Sequence, residues 1–418
     1  MPDTAGRILG LVFFTPAHMK LVFGNSMVII TLMGKWSFKF LKNIERNLHA
    51  LRDSQGPKEE SAIRRWRLLQ VESAIACNLR CVMCPWREFA ETVENRGLMS
   101  QEIWQAIRPH LAEIQSIDFT GGGEPLLQPK LAEWIAEAHV AGCETGFLSN
   151  GLLLNKKKLQ QIVSAGVDWI CISIDAADAE LYEKIRIGSD FNRVCANLAN
   201  IADVRIGKLP KTMINFVLMD LNFHQVEDMV HLASQLGVDQ LNFKQCEVIR
   251  GESGKGHGLF SAEETKKIRR LKKTLAKARR LANKLNITTT AFAFTPTERS
   301  VCEQDPRDSL FIRYDGLAAP CINLAIGGPT TFLGKEVLMP NVHYGRLPDI
   351  DLLDLWQSES AVKYRKQFGQ RVKKHDEAIV SGMLNTSGSN RLKAIEAAKD
   401  AMPEPPPGCN VCHYLYDI

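Results

Sequence analysis

Short hydrophobic runs separated by longer mixed segments begin at about residue 68. The runs predict six strands, over residues 68–74, 116–120, 144–149, 169–174, 212–218 and 240–244. The segments between them predict helices over 101–114, with Ser100 as N-cap, and over 129–141, 156–165 and 224–236. Strands separated by helices indicate parallel pairing with right-handed crossovers. We therefore predict an α/β fold, a partial (β/α)6 TIM-like barrel whose chemistry lies at the carboxyl ends of its strands.

The residues before this pattern predict an N-terminal extension and linker over 1–67. Residues 8–33 are apolar, but Pro16, His18, Lys20 and Asn25 divide them into pieces shorter than the roughly 20 residues that a membrane span needs. Residues 27–51 are compatible with a basic helix at a membrane surface, with three aromatic residues beside three lysines. We favour an extension that packs on the domain, or an upstream start codon that is not used, and do not expect membrane contact. Residues 52–61 predict a linker.

The composition is that of an ordinary globular protein. The chain has 418 residues, 45% apolar and 24% charged, with a net charge of +5, which is enough for a large core and two domains. Its 11 cysteines are an odd number, and no secretory signal is evident. A disulfide framework is therefore not expected. The cysteine usage favours a reducing cytoplasm, with metal-bound and buried free thiols.

The positive charge is concentrated in residues 261–285, where ten Lys and Arg against two Glu give a local +8. Apolar residues recur there at intervals of three and four, at Ile268, Leu271, Leu275, Ala278, Ala282 and Leu285. This spacing predicts one amphipathic helix. A solvated face over a core-facing stripe is the favoured interpretation, and a docking face for an acidic peptide, protein or nucleic acid stays open. No aromatic residues are interleaved, which argues against base stacking, and we expect no nucleic-acid partner.

The stretch CNLRCVMCPW, residues 77–86, places three cysteines in eight positions. A structural zinc site uses four ligands, usually in two separated pairs, and a redox dithiol uses two. Three thiolates on a short loop suit an iron–sulfur cluster with one iron left open for another ligand.

Other distinctive residues also follow the predicted strands, which would bring them to one face of the barrel. They are Gly121-Gly122-Gly123-Glu124-Pro125 after strand two, Ser149-Asn150-Gly151 after strand three, Ser173 and Asp175 after strand four, and Lys244, Gln245, Cys246 and Glu247 after strand six. Each is a weak signal alone. Together they indicate a site at the mouth of the barrel.

This constellation resembles the radical S-adenosylmethionine (radical SAM) superfamily. The resemblance covers roughly residues 68–250 and depends on Cys77-x3-Cys81-x2-Cys84 followed by the turn Gly122-Gly123-Glu124. It implies that the three thiolates bind a 4Fe-4S cluster whose open iron takes the amino and carboxylate groups of S-adenosylmethionine. One departure is Met83, at a position that is often aromatic in the family, although a thioether can also pack on a ring.

The resemblance also implies residues that hold the S-adenosylmethionine. Gly122, Gly123 and Glu124 would contact its ammonium group, where glycines allow backbone carbonyls to approach. Ser173 and Arg186 match positions that hold the ribose and the carboxylate, and Arg presents a planar fork to a carboxylate. Asn150 is a further candidate. The alternative, an ordinary strand-end serine and a surface arginine, stays open.

The remaining cysteines are of two kinds. Cys143, Cys171 and Cys195 lie in apolar strands or helices and are predicted to be buried small hydrophobic residues. Residues 311–321 predict a hairpin, with Asp315-Gly316 as its turn, that delivers a further cysteine. Residues 342–359 predict a turn and a short helix. The four later cysteines are Cys302, Cys321, Cys409 and Cys412.

The pattern of these four cysteines resembles the C-terminal Twitch extension, which is related to the SPASM domain. Two separated cysteines and a late CxxC pair there bind an auxiliary 4Fe-4S cluster. The chain ends six residues after the pair, so a second auxiliary cluster is not expected. Zinc bound by the same four thiolates stays open as an alternative. The predicted domains are the radical SAM barrel over 68–295 and the Twitch/SPASM-like domain over 296–418, within which 360–405 predict a helix, a flexible insert and a stiff lead-in.

The resemblance implies reductive cleavage of S-adenosylmethionine to a 5′-deoxyadenosyl radical that abstracts a hydrogen from a substrate. An auxiliary cluster suggests an oxidation (a dehydrogenation), with a small molecule or a peptide residue as substrate and flavodoxin or ferredoxin as reductant. Residues 1–67 do not resemble the leader-binding domain that peptide modifiers in this family often carry, which slightly favours a small molecule.

Two alternatives stay open for the function. The first is a radical epimerase or peptide maturase, in which Cys246 after the sixth strand would donate a hydrogen, although a buried structural thiol is favoured at that position. The second is a non-catalytic iron–sulfur or zinc protein that binds an acidic partner through the basic helix.

Overall fold

The computed structural model describes residues 14–15, 18–23, 26–31, 64–87, 97–246, 265–293, 295–384 and 391–418. The chain divides into two compact units, Met1–Ala62 and Ile63–Ile418. The further division of the second unit at residues 295 and 296 stays a prediction.

The first unit contains a three-stranded antiparallel sheet, formed by β1 (Phe14–Thr15), β2 (His18–Phe23) and β3 (Ser26–Thr31). Phe23 pairs with Ser26, so a two-residue connection joins β2 to β3. The sequence Gly24-Asn25 between them is a hairpin signal that the analysis above did not use. The predicted surface helix over 27–51 is therefore wrong at residues 27–31, and its remainder and the predicted linker over 52–61 lie outside the described residues.

The second unit is built on one large sheet and a small one. Its strands are β4 (Trp66–Val71), β5 (Ile114–Asp118), β6 (Glu144–Ser149), β7 (Trp169–Ser173), β8 (Lys211–Leu218), β9 (Gln240–Gln245), β10 (Thr288–Ala291), β11 (Ser309–Ile312), β12 (Leu317–Ala319), β13 (Gly328–Phe332), β14 (Lys335–Met339) and β15 (Gly345–Arg346). The large sheet has the order β10-β9-β8-β7-β6-β5-β4-β11-β12-β15, and β13 pairs with β14.

All neighbours from β10 to β11 are parallel, and β12 and β15 are antiparallel. The six predicted strands correspond to β4–β9, in consecutive positions of this sheet. The predicted α/β class, with a mostly parallel sheet, is confirmed.

Helices connect the strands. They are α1 (Gln101–Ile107), α2 (Leu131–Val140), α3 (Lys156–Ser164), α4 (Ala179–Ile185), α5 (Phe191–Val204), α6 (Val226–Gln235), α7 (Thr265–Lys284), α8 (Ile322–Ile326), α9 (Leu352–Gln357), α10 (Glu359–Leu384) and α11 (Arg391–Asp400). Ser100 is the N-cap of α1, where its hydroxyl accepts from the Ile103 amide at 3.4 Å. The helix predicted to continue to 114 changes to a 3-10 helix at Arg108, since Pro109 has no amide to donate.

The basic helix lies at α7 and has the predicted amphipathic form. Leu271, Leu275, Ala278 and Ala282 are buried in the core, while the Lys and Arg positions between them are exposed wherever the side chains are described. The apolar stripe packs against α6 and β10. Within the described ranges, none of the helices combines the length and the apolar character that crossing a bilayer requires.

The predicted hairpin over 311–321 is formed by β11 and β12, with Phe311 opposite Ala319. Gly316 in its turn has φ +87°, and a Cβ there would lie 2.1 Å from the Leu347 carbonyl oxygen, so glycine is required. Because β11 also pairs in parallel with β4, the hairpin extends the barrel sheet beside the first strand. Cys321 follows β12 directly, as the N-cap of α8.

Candidate active site at the barrel mouth

A cavity of about 330 Å³ lies at the carboxyl ends of the barrel strands. The sequence-predicted residues of the first site all line it. They are Cys77, Cys81, Cys84, Gly122, Gly123, Glu124, Asn150, Ser173, Arg186 and Cys246. The structure therefore brings together residues from the ends of β4, β5, β6, β7 and β9, as the barrel topology predicts.

The cysteine loop is held by backbone hydrogen bonds to the end of α4. The Arg80 amide donates to the Ile187 carbonyl at 2.9 Å, and the Val82 amide donates to the Ile185 carbonyl at 3.0 Å. The Cys84 amide closes a tight turn onto the Cys81 carbonyl at 3.2 Å. These contacts fix the direction of the loop without using any of the three sulfurs.

Arg186 connects this loop to the barrel. Its Nε lies 2.6 Å from Asp175 Oδ2, and its Nη1 lies 3.8 Å from Cys81 Sγ. Asp175 is fully buried, and its other oxygen accepts from the Val217 amide at 2.7 Å. A buried cation is thus paired with a carboxylate and lies beside a thiol, so the surface-arginine alternative is wrong.

Burial controls the protonation of the three thiols. It raises the pKa of Cys77 to about 11 and that of Cys81 to about 12, and it also raises the pKa of Cys84. The positive charge of Arg186 opposes this shift at each of them. Without a bound metal the three side chains are neutral at pH 7, and binding iron would displace their protons.

The glycine turn packs tightly beside the cysteine loop. A Cβ on Gly123 would lie 2.4 Å from the carbonyl oxygen of Ala76, so only glycine fits. The Glu124 amide donates to the same Ala76 oxygen at 2.8 Å. The Glu124 carboxylate accepts from the Ser149 hydroxyl at 2.7 Å and from the Asn150 amide at 2.8 Å. Glu124 therefore ties the end of β5 to the end of β6.

Asn150 braces the cysteine loop from the β6 side. Its Nδ2 donates to Asn78 Oδ1 at 2.9 Å and lies 3.9 Å from Cys77 Sγ. Ser173 is only 8% exposed and borders the cavity at the end of β7. Their contacts with S-adenosylmethionine stay predictions.

Glu72 is a site residue that the sequence analysis missed. It follows β4 and is fully buried, where it accepts from the Gly122 amide at 2.7 Å and from the Tyr314 amide at 3.2 Å. Burial raises its pKa from 4.5 to about 7, against the effect of these two hydrogen bonds. It joins the glycine turn to the β11–β12 hairpin. Its signal in the sequence was a lone carboxylate inside the run 68–74 that was predicted as the first strand.

A second cavity, of about 380 Å³, adjoins the first. Lys244, Gln245 and Tyr414 line both cavities, and Cys302 lines the second. Gln245 is 4% exposed, and its Nε2 has no hydrogen-bond partner among the described residues. Tyr414 was not predicted as a site residue, since it is distant in the sequence from every barrel strand. Glu247 lies outside the described residues.

Cys246 is buried, 8% exposed, in a small apolar cluster with Cys81, Met83 and Ile185. It borders the first cavity at the end of β9. The structure thus places a thiol at the mouth but leaves its role a prediction.

The four later cysteines form a second site in the C-terminal part of the chain. Cys302 precedes β11, Cys321 begins α8, and Cys409 and Cys412 bound a short 3-10 turn. The four thiols are close enough for their charges to interact: Cys412, Cys321 and Cys302 each raise the pKa of Cys409, after the larger effect of burial. Burial also raises the pKa of Cys302 to about 11.

All eleven cysteines are free thiols and lie in the described ranges. Cys143 and Cys171 are each 3% exposed, as predicted, whereas Cys195 on α5 is only half-buried. The prediction of a buried residue was too strong there, because α5 is a surface crossover helix.

The donor sets of the two sites fit iron–sulfur clusters. In the part of the chain that the structure describes, no three His, Cys, Asp or Glu side chains form a group that could hold a metal ion. A 4Fe-4S cluster makes a different demand, because each thiolate binds its own iron and the sulfurs stay apart. Three thiols beside an open cavity suit a cluster with one free iron, and four thiols, three of them buried, suit a fully ligated one.

Residues 71–233 match the model of the Radical SAM superfamily. The chain contains a radical SAM superfamily domain. It is 26% identical over 307 residues to the tungsten-containing aldehyde ferredoxin oxidoreductase cofactor-modifying protein of Pyrococcus furiosus, covering 72% of this chain and 83% of that protein. It is also 26% identical to the PqqA peptide cyclase of Ruegeria pomeroyi over 57% of this chain and 60% of that protein.

Two solved structures share the radical SAM fold with this chain. Streptococcus suis SuiB bound to S-adenosylmethionine superposes with a TM-score of 0.54 at 16% identity, over 80% of this chain and 75% of SuiB. The anSMEcpe protein with bound AdoMet superposes with a TM-score of 0.53 at 15% identity, over 72% of this chain and 83% of that protein. These likenesses show the fold. The match of residues 71–233 to the superfamily model supports a radical SAM enzyme, and this family implies S-adenosylmethionine and a 4Fe-4S cluster.

Proposed function

We propose that this radical SAM enzyme oxidises its substrate by removing two hydrogens in separate one-electron steps. The observation that carries the proposal is the contact between the two cavities. One is bordered by Cys77, Cys81 and Cys84, the other by Cys302, and they share the wall formed by Lys244, Gln245 and Tyr414. A substrate at that wall would lie within reach of both cysteine sites.

In this proposal Cys77, Cys81 and Cys84 hold the catalytic cluster. When bound, it supplies the electron that cleaves S-adenosylmethionine to methionine and a 5′-deoxyadenosyl radical. The Glu124 amide keeps the glycine turn against the start of the cysteine loop by donating to the Ala76 carbonyl, and Arg186 holds that loop against the barrel wall. The turn and the Arg186 fork would orient S-adenosylmethionine by its ammonium and carboxylate groups.

The second site would hold an auxiliary cluster on Cys302, Cys321, Cys409 and Cys412. When bound, it would supply an acceptor for the electron that the substrate radical loses, while the second hydrogen leaves as a proton to water. The SPASM-type relatives of this chain, among them the PqqA peptide cyclase, support this second cluster. Zinc at the same thiols is the alternative that iron analysis must exclude.

We propose a residue of a peptide as the substrate. The support is that one relative is named for the PqqA peptide, that SuiB has a structure with its precursor peptide SuiA, and that anSMEcpe has structures with peptides. The sequence-based preference for a small molecule depended on residues 1–67 lacking the character of a leader-binding domain. Residues 14–31 contain a three-stranded sheet, which weakens that argument.

The reductant would be an acidic electron-transfer protein such as flavodoxin or ferredoxin. The exposed Lys and Arg side chains of α7 support this proposal, since opposite charge steers such partners. A cytoplasmic location remains the expectation from cysteine usage.

Anaerobic reconstitution tests the proposed function. We expect about eight irons per chain, from two clusters of four, and production of 5′-deoxyadenosine from S-adenosylmethionine with dithionite. A chain that binds zinc or iron but forms no 5′-deoxyadenosine would be the non-catalytic binding protein instead. About four irons together with one zinc would remove the auxiliary cluster from the proposal and leave the radical SAM chemistry.

Epimerisation is a second candidate, favoured by the position of Cys246 at the mouth. A thiol S–H bond is weaker than the C–H bond it would restore. Cys246→Ala should then cleave S-adenosylmethionine but give no epimer, and the wild type in deuterated buffer should place one deuterium in the product. The same oxidised product from this variant at a similar rate would exclude the donor role.

A further inference from the structure

Three polar side chains from separate parts of the C-terminal extension lie beside three of the four later cysteines. Tyr364 on α10 places its hydroxyl 3.0 Å from Cys409 Sγ. Asn323 on α8 places its Nδ2 3.8 Å from Cys412 Sγ. Tyr344 precedes β15, and Cys321 and Cys409 both act on its hydroxyl electrostatically. All three side chains are buried, between 2% and 7% exposed.

The Tyr364 hydroxyl is placed to donate once Cys409 binds a metal. A free thiol can itself donate to that hydroxyl, so the direction of the bond is open in the unloaded chain. Metal binding removes the thiol proton and leaves a sulfur that can only accept. The tyrosine proton then points to the sulfur, or to the Pro407 carbonyl at 3.4 Å.

The Tyr344 hydroxyl gives an independent indication. It is buried and has no hydrogen-bond partner among the described residues. Leaving a buried hydroxyl without a hydrogen-bond partner destabilises the folded state, so each such group in a native structure calls for an explanation. A thiolate or sulfide sulfur arriving beside Cys321 and Cys409 would provide the missing acceptor.

Hydrogen bonds to the sulfurs of an iron–sulfur cluster stabilise its reduced form, because that form carries one more negative charge. They therefore raise the reduction potential. A cluster that must accept an electron from a substrate radical benefits from this, whereas one that must donate to a sulfonium does not. The sulfurs of the barrel mouth also have neighbouring donors, which include Asn150 at 3.9 Å, Arg186 at 3.8 Å and the Leu79 amide at 3.4 Å, and none of these three is a hydroxyl.

We propose that Tyr364 and Tyr344, with Asn323, act as positioning residues that raise the reduction potential of the auxiliary cluster. This rests on the proposed function, since it presupposes that cluster. The step concerned is the gain of one electron by the bound cluster, from the substrate radical in the enzyme and from dithionite in the test. Neither tyrosine transfers its proton in this step.

The test is an anaerobic redox titration followed by EPR, in full-length chains carrying Cys77→Ala, Cys81→Ala and Cys84→Ala so that only the second site binds a cluster. Tyr364→Phe should lower the ratio of reduced to oxidised cluster about tenfold at a given potential, which is about 59 mV for a one-electron couple. Tyr344→Phe should shift the midpoint in the same direction and should fold well, because it removes an unsatisfied hydroxyl. Tyr416→Phe is the matched control, since its hydroxyl interacts with Glu298, Arg371 and Glu404 rather than with the thiols.

The outcomes separate the two proposals. Full iron content with midpoints unchanged in both Tyr364→Phe and Tyr344→Phe would overturn the inference and leave the proposed function standing. If Tyr364→Phe fails to assemble the cluster, Tyr344→Phe alone decides. Zinc instead of iron at this site in the wild-type chain would contradict the auxiliary cluster itself.

Discussion

The two cysteine sites differ in how the chain builds them and in what they leave open. The barrel-mouth site takes three thiols from eight consecutive positions and faces a cavity of about 330 Å³. The extension site, formed by Cys302, Cys321, Cys409 and Cys412, takes its thiols from three distant segments. Three of the four thiols are buried, and hydroxyl and amide groups lie near them. An incomplete ligand set beside a cavity suits binding of a second molecule, and a complete buried set suits electron transfer. The same division separates catalytic from structural sites in other metalloproteins.

The largest effect should come from the barrel-mouth cysteines. Changing Cys77, Cys81 or Cys84 to Ala should abolish 5′-deoxyadenosine formation, because the cluster would lose one of only three protein ligands. The fold should survive, since the loop is held by backbone contacts to Ile185 and Ile187. Product analysis by chromatography and a far-UV circular dichroism spectrum measure the two expectations.

Cys195→Ala is the matched control for these variants, because Cys195 is half-buried on α5 and lines neither of the two cavities described above. Cofactor cleavage at the wild-type rate by any of the three loop variants would show that the barrel-mouth assignment is mistaken.

The extension site should respond differently. Replacing Cys409 and Cys412 together by Ala should halve the iron content, from about eight to about four per chain, and leave the absorbance of the first cluster in place. Substrate-independent cleavage of S-adenosylmethionine should continue, since the barrel mouth keeps its three thiols. Iron analysis and 5′-deoxyadenosine assays check both parts. Equal loss of both clusters would mean that the two sites are not independent.

Variants of the Arg186–Asp175 pair distinguish an effect on folding from an effect on cofactor binding. Arg186→Leu leaves the fully buried Asp175 without its cation and should lower the free energy of unfolding by about 3–5 kcal/mol. Adding Asp175→Leu should recover much of that loss, because apolar replacements of buried pairs are often neutral. Both the single and the double variant should form less 5′-deoxyadenosine than the wild type. A fully active double variant would show that the pair is structural only.

The smallest expected effect concerns Glu72, which links the two regions. Its folded-state pKa of about 7 exceeds its ordinary value of 4.5, so the folded state holds the proton more tightly. The resulting stabilisation is present below pH 4.5 and is lost as the pH rises through 7, by up to about 3 kcal/mol. Glu72→Gln should flatten this fall between pH 5 and 7. Asp118, whose pKa burial raises to about 6, contributes with the same sign and remains in the variant.

Thermal unfolding of the reconstituted protein over that pH range, with and without Glu72→Gln, gives the measurement. Identical pH slopes for the two proteins would mean that Glu72 does not hold its proton in the folded state.

Local signals in the sequence predicted the barrel well. The periodicity located β4–β9 within three residues at each end. Strand-end motifs, together with Arg186 from the family resemblance, named ten residues that line one cavity. Signals that depend on tertiary pairing were missed. Thr288–Ala291 joins the sheet as an edge strand next to β9, although its polar threonines give no strand pattern. Helices α4 and α5 were not assigned between the fourth and fifth strands.

Long-range contacts explain what the site prediction lacked. Glu72 acquires its role only when Tyr314 arrives from the hairpin, and Tyr414 reaches the barrel mouth only because the chain returns there after α11. Tyr364 meets Cys409 across 45 positions. No spacing rule connects such residues, whereas the three cysteines of one loop can be recognised because they lie close together in the sequence.

The most direct test of the difference between the open barrel-mouth site and the closed extension site is an EPR spectrum of the dithionite-reduced protein, recorded with and without S-adenosylmethionine. Two cluster signals should appear, and S-adenosylmethionine should change only the one that disappears in the chain carrying Cys77→Ala, Cys81→Ala and Cys84→Ala. The second signal should persist unchanged in that chain, because its cluster has four protein ligands and no open iron. A signal from the Cys302, Cys321, Cys409 and Cys412 site that shifts with S-adenosylmethionine, or a barrel-mouth signal that does not, would contradict the distinction between an open and a closed site.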